Sequence, residues 1–107
     1  MSAIWADLAN AHADVVLNGK AHNYERFALQ NASGAADPQG GVREFVVGTG
    51  GRELYPFAKV MPNSEVRYAS TFGVLKLTLH PSSYDWQFQP EAGGTFTDTG
   101  SQPCHGR

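Results

Sequence analysis

The chain has 107 residues, 41% hydrophobic and 17% charged, with a formal charge of −2 at neutral pH. That length supports one domain (1–107) with a single core, and the composition is too apolar for a disordered chain. A charge so close to zero leaves no electrostatic footprint for nucleic acid or for an acidic membrane, so neither is expected as a partner.

Twelve glycines, six prolines and twelve aromatic side chains favour a loop-rich, mainly β protein over a helical bundle. The one cysteine, Cys104, excludes a disulfide within the chain and a multi-cysteine zinc cluster. No stretch approaches the roughly 18 apolar residues of a membrane span. The segment "MSAIWADLANAHADVV" lacks the basic start and apolar centre of a secretion signal, since Asp7 interrupts it early. The reading is therefore a soluble protein with no export signal in this sequence.

Ser2 is a suitable N-cap for a helix reaching about His12, with Ile4, Leu8 and Ala11 recurring at helical spacing. Asp14 and the β-branched pair Val15-Val16 then switch the pattern to a short apolar strand, followed by a polar loop. Residues 28–41, punctuated by Gly34, Pro38, Gly40 and Gly41, read as loop. The Asn31-Ala32-Ser33 sequon carries little weight without a secretion signal.

"VREFVVGTGG" reads as a strand covered on both faces, ending in a glycine turn at Gly48, Gly50 and Gly51. These glycines permit a sharp turn or a close backbone approach. No helix pattern and no Lys-Ser/Thr follows, so a P-loop is not expected. Residues 52–65 read as a long connection. In "TFGVLKLTLH", Gly73, Leu75, Leu77 and Leu79 share one face. After a "PSS" turn, Tyr84, Trp86 and Phe88 alternate with polar residues. The pattern predicts a hairpin whose leucine and aromatic faces form one core surface. Thr95-Phe96-Thr97 offers one more short strand, and the tail from about residue 100 is expected to be disordered. No repeat or low-complexity tract is present. The fold class expected is α+β: an N-terminal helix with a mostly antiparallel β-sheet.

The chemistry concentrates in "NGKAHNYER", where a strand runs into Asn18-Gly19 and then Lys20, His22, Glu25 and Arg26. This stretch resembles the Gly-His-x-His-x-Tyr-Glu-Arg turn of the calcineurin-like metallophosphoesterases, in particular the purple acid phosphatase-like branch. "GGVREFVVGTGG", "NSEVRYASTFGVLKLTLHPSSYDWQF" and "GGTFTDTGS" are similar to the carboxyl-terminal part of bacterial members. The resemblance covers nearly the whole chain.

It implies the carboxyl-terminal half of an α/β/β/α sandwich bearing a two-metal centre of Fe, Zn or Mn that hydrolyses phosphate esters. By the resemblance His22 corresponds to the second histidine, a ligand of one metal. Lys20 stands where the first histidine would hold the other. An ammonium has no lone pair near neutral pH, so Lys20 departs from the family's chemistry. The family's Asp-x-His, Gly-Asp, Gly-Asn-His-Asp/Glu and lone-His motifs, which lie upstream of such a segment, have no counterpart here.

His12, His80 and His105 show no ligand spacing to His22, and Asp14, Glu25 and Asp85 form no visible carboxylate pair for acid–base work. There is no Gly-x-Ser-x-Gly elbow. Lys20 admits two readings. It is a solvated loop residue, or it joins Arg26 and the amides of Gly48, Gly50 and Gly51 in a pocket for a phosphate ester or phosphate ion.

A half-sandwich should also leave the Phe45–Val47 strand and one hairpin face in water, so a homo-oligomer is expected. Three functions follow. The first is a phosphoester hydrolase segment, impaired or inactive alone. The second is a non-catalytic, self-associating β module. The third is a repurposed small metal-independent hydrolase with its site at an oligomer interface.

Overall fold

The computed structural model describes residues 2–105. One helix, α1 (Ser2–Asn10), precedes seven strands. These are β1 (Val15–Asn18), β2 (Tyr24–Phe27), β3 (Arg43–Val47), β4 (Ser64–Tyr68), β5 (Gly73–Leu79), β6 (Ser83–Pro90) and β7 (Thr99–Pro103). They form a four-stranded sheet in the order β1-β3-β2-β4 and a three-stranded sheet in the order β5-β6-β7. The β1–β3 pair is parallel, and every other pair is antiparallel. The fold class is thus α+β, as expected. No helix among the described residues is long and apolar enough to cross a membrane.

The helix stops two residues earlier than its apolar spacing suggests. The amide of His12 donates to the Ala9 carbonyl and that of Ala13 to the Leu8 carbonyl. His12 itself sits at φ 63. This is a Schellman-type stop with histidine in the left-handed position that glycine usually takes. The chain then turns directly into β1.

The two sheets pack through their inner faces. Tyr24 and Phe45 of the first sheet meet Tyr84, Trp86 and Phe88 of the second, all nearly or wholly excluded from solvent. Phe45 meets Trp86 edge-on at 5.5 Å and Tyr24 lies 4.7 Å from Phe88, both favourable aromatic geometries. The hairpin forms in the register its alternation predicts, with Leu75 opposite Phe88, Leu77 opposite Trp86 and Leu79 opposite Tyr84.

Four expectations are corrected. "YERF", expected in a polar loop, is β2, an interior strand paired on both edges. Its buried members are Tyr24 and Glu25, with Arg26 half-buried between the sheets, so apolar periodicity does not show it. Likewise "SEVRY" forms β4, outside the hairpin and unmarked by any continuous apolar run. Thr95–Thr97 is not a strand, although Phe96 stacks on Tyr68 at 4.1 Å. The strand comes next, as β7, from the residues expected to be disordered. β7 needs no apolar side chains because it is an edge held by β6. At Gly100 an added Cβ would stand 2.3 Å from the Trp86 ring, so the glycine lets the indole cover this strand.

The Phe45–Val47 strand does not face water. It lies between β1 and β2, with Phe45 wholly buried. The hairpin's aromatic face is equally covered. What remains open is narrower, namely the sheet edges, with apolar side chains exposed on β1 and β5. Leu17 is half-exposed, and Val74 and Leu79 are exposed, at 61% and 73%.

Between the sheets lies a polar cluster. Arg26 donates from Nε to Asp98 Oδ2 at 2.8 Å and from Nη2 to Asp98 Oδ1 at 3.2 Å. The Tyr24 hydroxyl donates to the same carboxylate at 2.7 Å. Arg26 also meets Glu65, which accepts from Arg43 Nη1 at 3.0 Å. The two guanidiniums lie 5.0 Å (Arg26) and 4.9 Å (Arg43) from the Trp86 ring centroid, within cation–π range. Burial, with Asp98 as acceptor, pushes the Tyr24 phenol far above its ordinary pKa. Burial alone would pull Arg26 down, but its bond to Asp98 and the charges of Asp98 and Glu65 hold it above its ordinary value.

Candidate functional site

β1 and β2 are consecutive in sequence, yet β3 lies between them in the sheet. The link from Gly19 to Asn23 must therefore cross over the end of β3. It does so against Gly48, whose amide donates to the Asn23 carbonyl at 2.9 Å. A Cβ on Gly48 would stand 1.9 Å from the Ala21 carbonyl oxygen and 3.0 Å from that of Gly19. The glycine is required by a backbone crossing, one of the two uses its position in the sequence suggests.

Within the link, the Lys20 amide donates to Asn18 Oδ1 at 3.3 Å, a turn typical of asparagine. Asn18 Nδ2 in turn donates to Glu44 Oε2 at 2.8 Å. His22 is half-buried and doubly fixed. Its ring stacks on Tyr55 at 4.5 Å with 19° between planes. Its Nδ1 lies 3.1 Å from the Glu53 carbonyl oxygen. A carbonyl only accepts, so Nδ1 carries a proton, and in the neutral ring Nε2 is the nitrogen with the lone pair. This is the arrangement in which metal-binding imidazoles are held, with the second nitrogen donating to a backbone carbonyl.

Asn23, next in sequence, is buried. Its Nδ2 donates to the Tyr55 carbonyl at 3.2 Å. That bond fixes the orientation of the amide and leaves Oδ1 a buried acceptor with no hydrogen-bond partner. An unmet buried acceptor costs about 1–3 kcal/mol, and a cation or a donor would relieve it. The Tyr55 amide closes the set by donating to the His22 carbonyl at 2.9 Å.

The residues singled out in the sequence do not all converge. Lys20 reaches the same crossing as Gly48, and its side chain lines a cleft on the outer face of the four-stranded sheet. Arg26 points to the opposite face, where Asp98 and Glu65 occupy its guanidinium. Gly50 and Gly51 follow β3 with open space where a Cβ would stand, and Gly51 takes φ 138, a conformation that favours glycine. The anion pocket of Lys20, Arg26 and three glycine amides is therefore not assembled. Glu53 and Tyr55, which hold His22 and Asn23, carry no signal in the sequence. They lie in a connection without periodicity, and two of their contacts span 31 and 32 residues.

His22 offers one oriented imidazole, and Asn23, next in sequence, one orphaned amide oxygen. Among the described residues, however, no group of three or more His, Cys, Asp or Glu side chains could hold an ion. A structural zinc alone takes about four ligands. A self-contained two-metal centre therefore does not fit these residues, while a contributed ligand does. In comparisons with known proteins, no family model, no curated protein and no solved structure matches this chain.

Proposed function

We propose that this chain is the carboxyl-terminal segment of a calcineurin-like metallophosphoesterase of the purple acid phosphatase-like branch. In this reading His22 supplies one imidazole to a phosphoester-hydrolysing centre, and the remaining donors come from polypeptide beyond these residues. Iron, zinc or manganese there would bind the phosphate and generate the attacking hydroxide. The chain's own part is to orient one ligand, and alone it is inactive or impaired. The observation that carries the reading is the orientation of the His22 ring, with Nδ1 donating to the Glu53 carbonyl.

A zinc titration followed by NMR tests it. The His22 ring signals are expected to move, and His22→Ala to abolish the response. Lys20→His, restoring a second imidazole two residues away, is expected to tighten binding on the order of tenfold. A His22 ring indifferent to zinc, or Lys20→His without effect on affinity, rules the reading out.

A second reading, a self-associating β module, is favoured by the open β1 and β5 edges with exposed Val74 and Leu79 and half-exposed Leu17. It expects a homo-oligomer by light scattering at micromolar concentration. A monodisperse monomer contradicts it.

A further inference from the structure

The outer face of the four-stranded sheet carries a cleft of about 800 Å³, within the size range of small-molecule sites. It lies beside the carboxyl end of the parallel β1–β3 pair, where Asn18 ends β1 and the chain crosses β3. Ligands in sheets with parallel strands collect at such ends. Its lining is mainly apolar, with Trp5, Val46 and Met61 supplying the large surfaces.

The walls are held in place before any ligand arrives. Trp5 Nε1 donates to the Asn31 carbonyl at 2.8 Å, fixing the indole. Asn31 Oδ1 accepts from the Ser33 amide at 3.0 Å, the Ser33 hydroxyl at 2.8 Å and the Ala35 amide at 3.1 Å. Asn63 Nδ2 ties the Gly34 carbonyl at 3.0 Å. The loop that read as structureless is thus a braced wall, and pre-organisation of this kind removes much of the entropic cost of binding.

Two opposite charges line the same cleft. Lys20 and Glu44 both contribute to it, and neither makes a salt bridge among the described residues. Glu44 takes one hydrogen bond, from Asn18. An apolar surface flanked by a cation and an anion not paired with each other is complementary to a ligand with an apolar body and both charges. We propose that the cleft between Trp5, Met61 and the Lys20–Glu44 rim binds an aromatic zwitterion of amino-acid type. Its carboxylate meets Lys20, its ammonium meets Glu44, and its ring rests on Trp5 and Val46. The proposal does not depend on the phosphoesterase reading, because it uses neither His22 nor a metal.

The test is an NMR titration observing the Trp5 indole N–H, using L-phenylalanine, 3-phenylpropionate (anion only) and phenethylamine (cation only). Phenylalanine is expected to bind about fivefold more tightly than either analogue, the scale of one partly exposed ion pair. Lys20→Met should bring phenylalanine down to the level of phenethylamine. Glu44→Gln, which keeps an acceptor for Asn18, should bring it down to that of 3-phenylpropionate. Both substitutions sit at the rim, outside the core. Equal binding of the three probes, no response at millimolar concentration, or insensitivity to both substitutions overturns the proposal. Zinc binding at His22 is expected to be unchanged in Glu44→Gln, which separates the two readings.

Discussion

Asp98→Ala is expected to destabilise the protein by about 3–5 kcal/mol, the range for removing one partner of a buried ion pair. Asp98 is 8% exposed and receives three hydrogen bonds, two from Arg26 and one from the Tyr24 hydroxyl. Alanine would leave Arg26 with only Glu65, whose side chain is 42% exposed. It would also leave the hydroxyl of a wholly buried tyrosine without its acceptor. The cost is the penalty of those stranded donors, not the net worth of the pair. Glu65→Ala is the contrast. Its carboxylate reaches both arginines but is solvated, so its loss should cost under about 1 kcal/mol. Urea unfolding of both variants measures the difference. If the two losses are equal, the inter-sheet cluster does not work as described.

Gly48→Ala is the second large effect. The added methyl would stand 1.9 Å from the Ala21 carbonyl oxygen and 2.8 Å from its carbon. Both are backbone atoms, so no rotamer change can relieve the clash. The 19–23 link must lift off β3, at the upper end of or above the roughly 1–3 kcal/mol usual for overpacking. His22 and Asn23 ride on that link, so the zinc response at His22 should weaken along with the stability. Gly50→Ala, with nothing within 4 Å of the new carbon, should change stability by less than about 0.5 kcal/mol. Comparable losses at the two positions would remove the crossing as the reason for glycine at 48.

The hairpin was legible because its chemistry is monotonous. Leucines on one strand and aromatics on the next alternate with period two, and the observed register matches them residue for residue. β1 and β3 were legible from their β-branched and aromatic runs. β2 was not, because its inward residues are Tyr24 and Arg26, and the arginine is inside only because Asp98 waits 72 positions away. β7 was invisible for a related reason. Its Gly100 is there for the Trp86 ring, and its strand character comes from the partner it lies against.

The site divides along the same line. His22 and Gly48 could be singled out from local pattern, while what orients them could not. Glu53 contributes only a carbonyl oxygen, which every residue has, and Tyr55 reaches the imidazole from a connection whose path nothing local dictates. Arg26 and Lys20, both cationic and close in sequence, face opposite sides of the sheet. The alternation of β2 sets the face that Arg26 takes.

The placement of β3 between β1 and β2 also sets an order of events. Neither earlier strand pairs with the other, so residues 15–27 have no sheet to join until 43–47 arrives between them. The 73–90 hairpin needs only its own turn, a local closure far faster than a three-way insertion. As the chain emerges from synthesis, the His22 link therefore waits on sequence some twenty residues later before it has anything to cross.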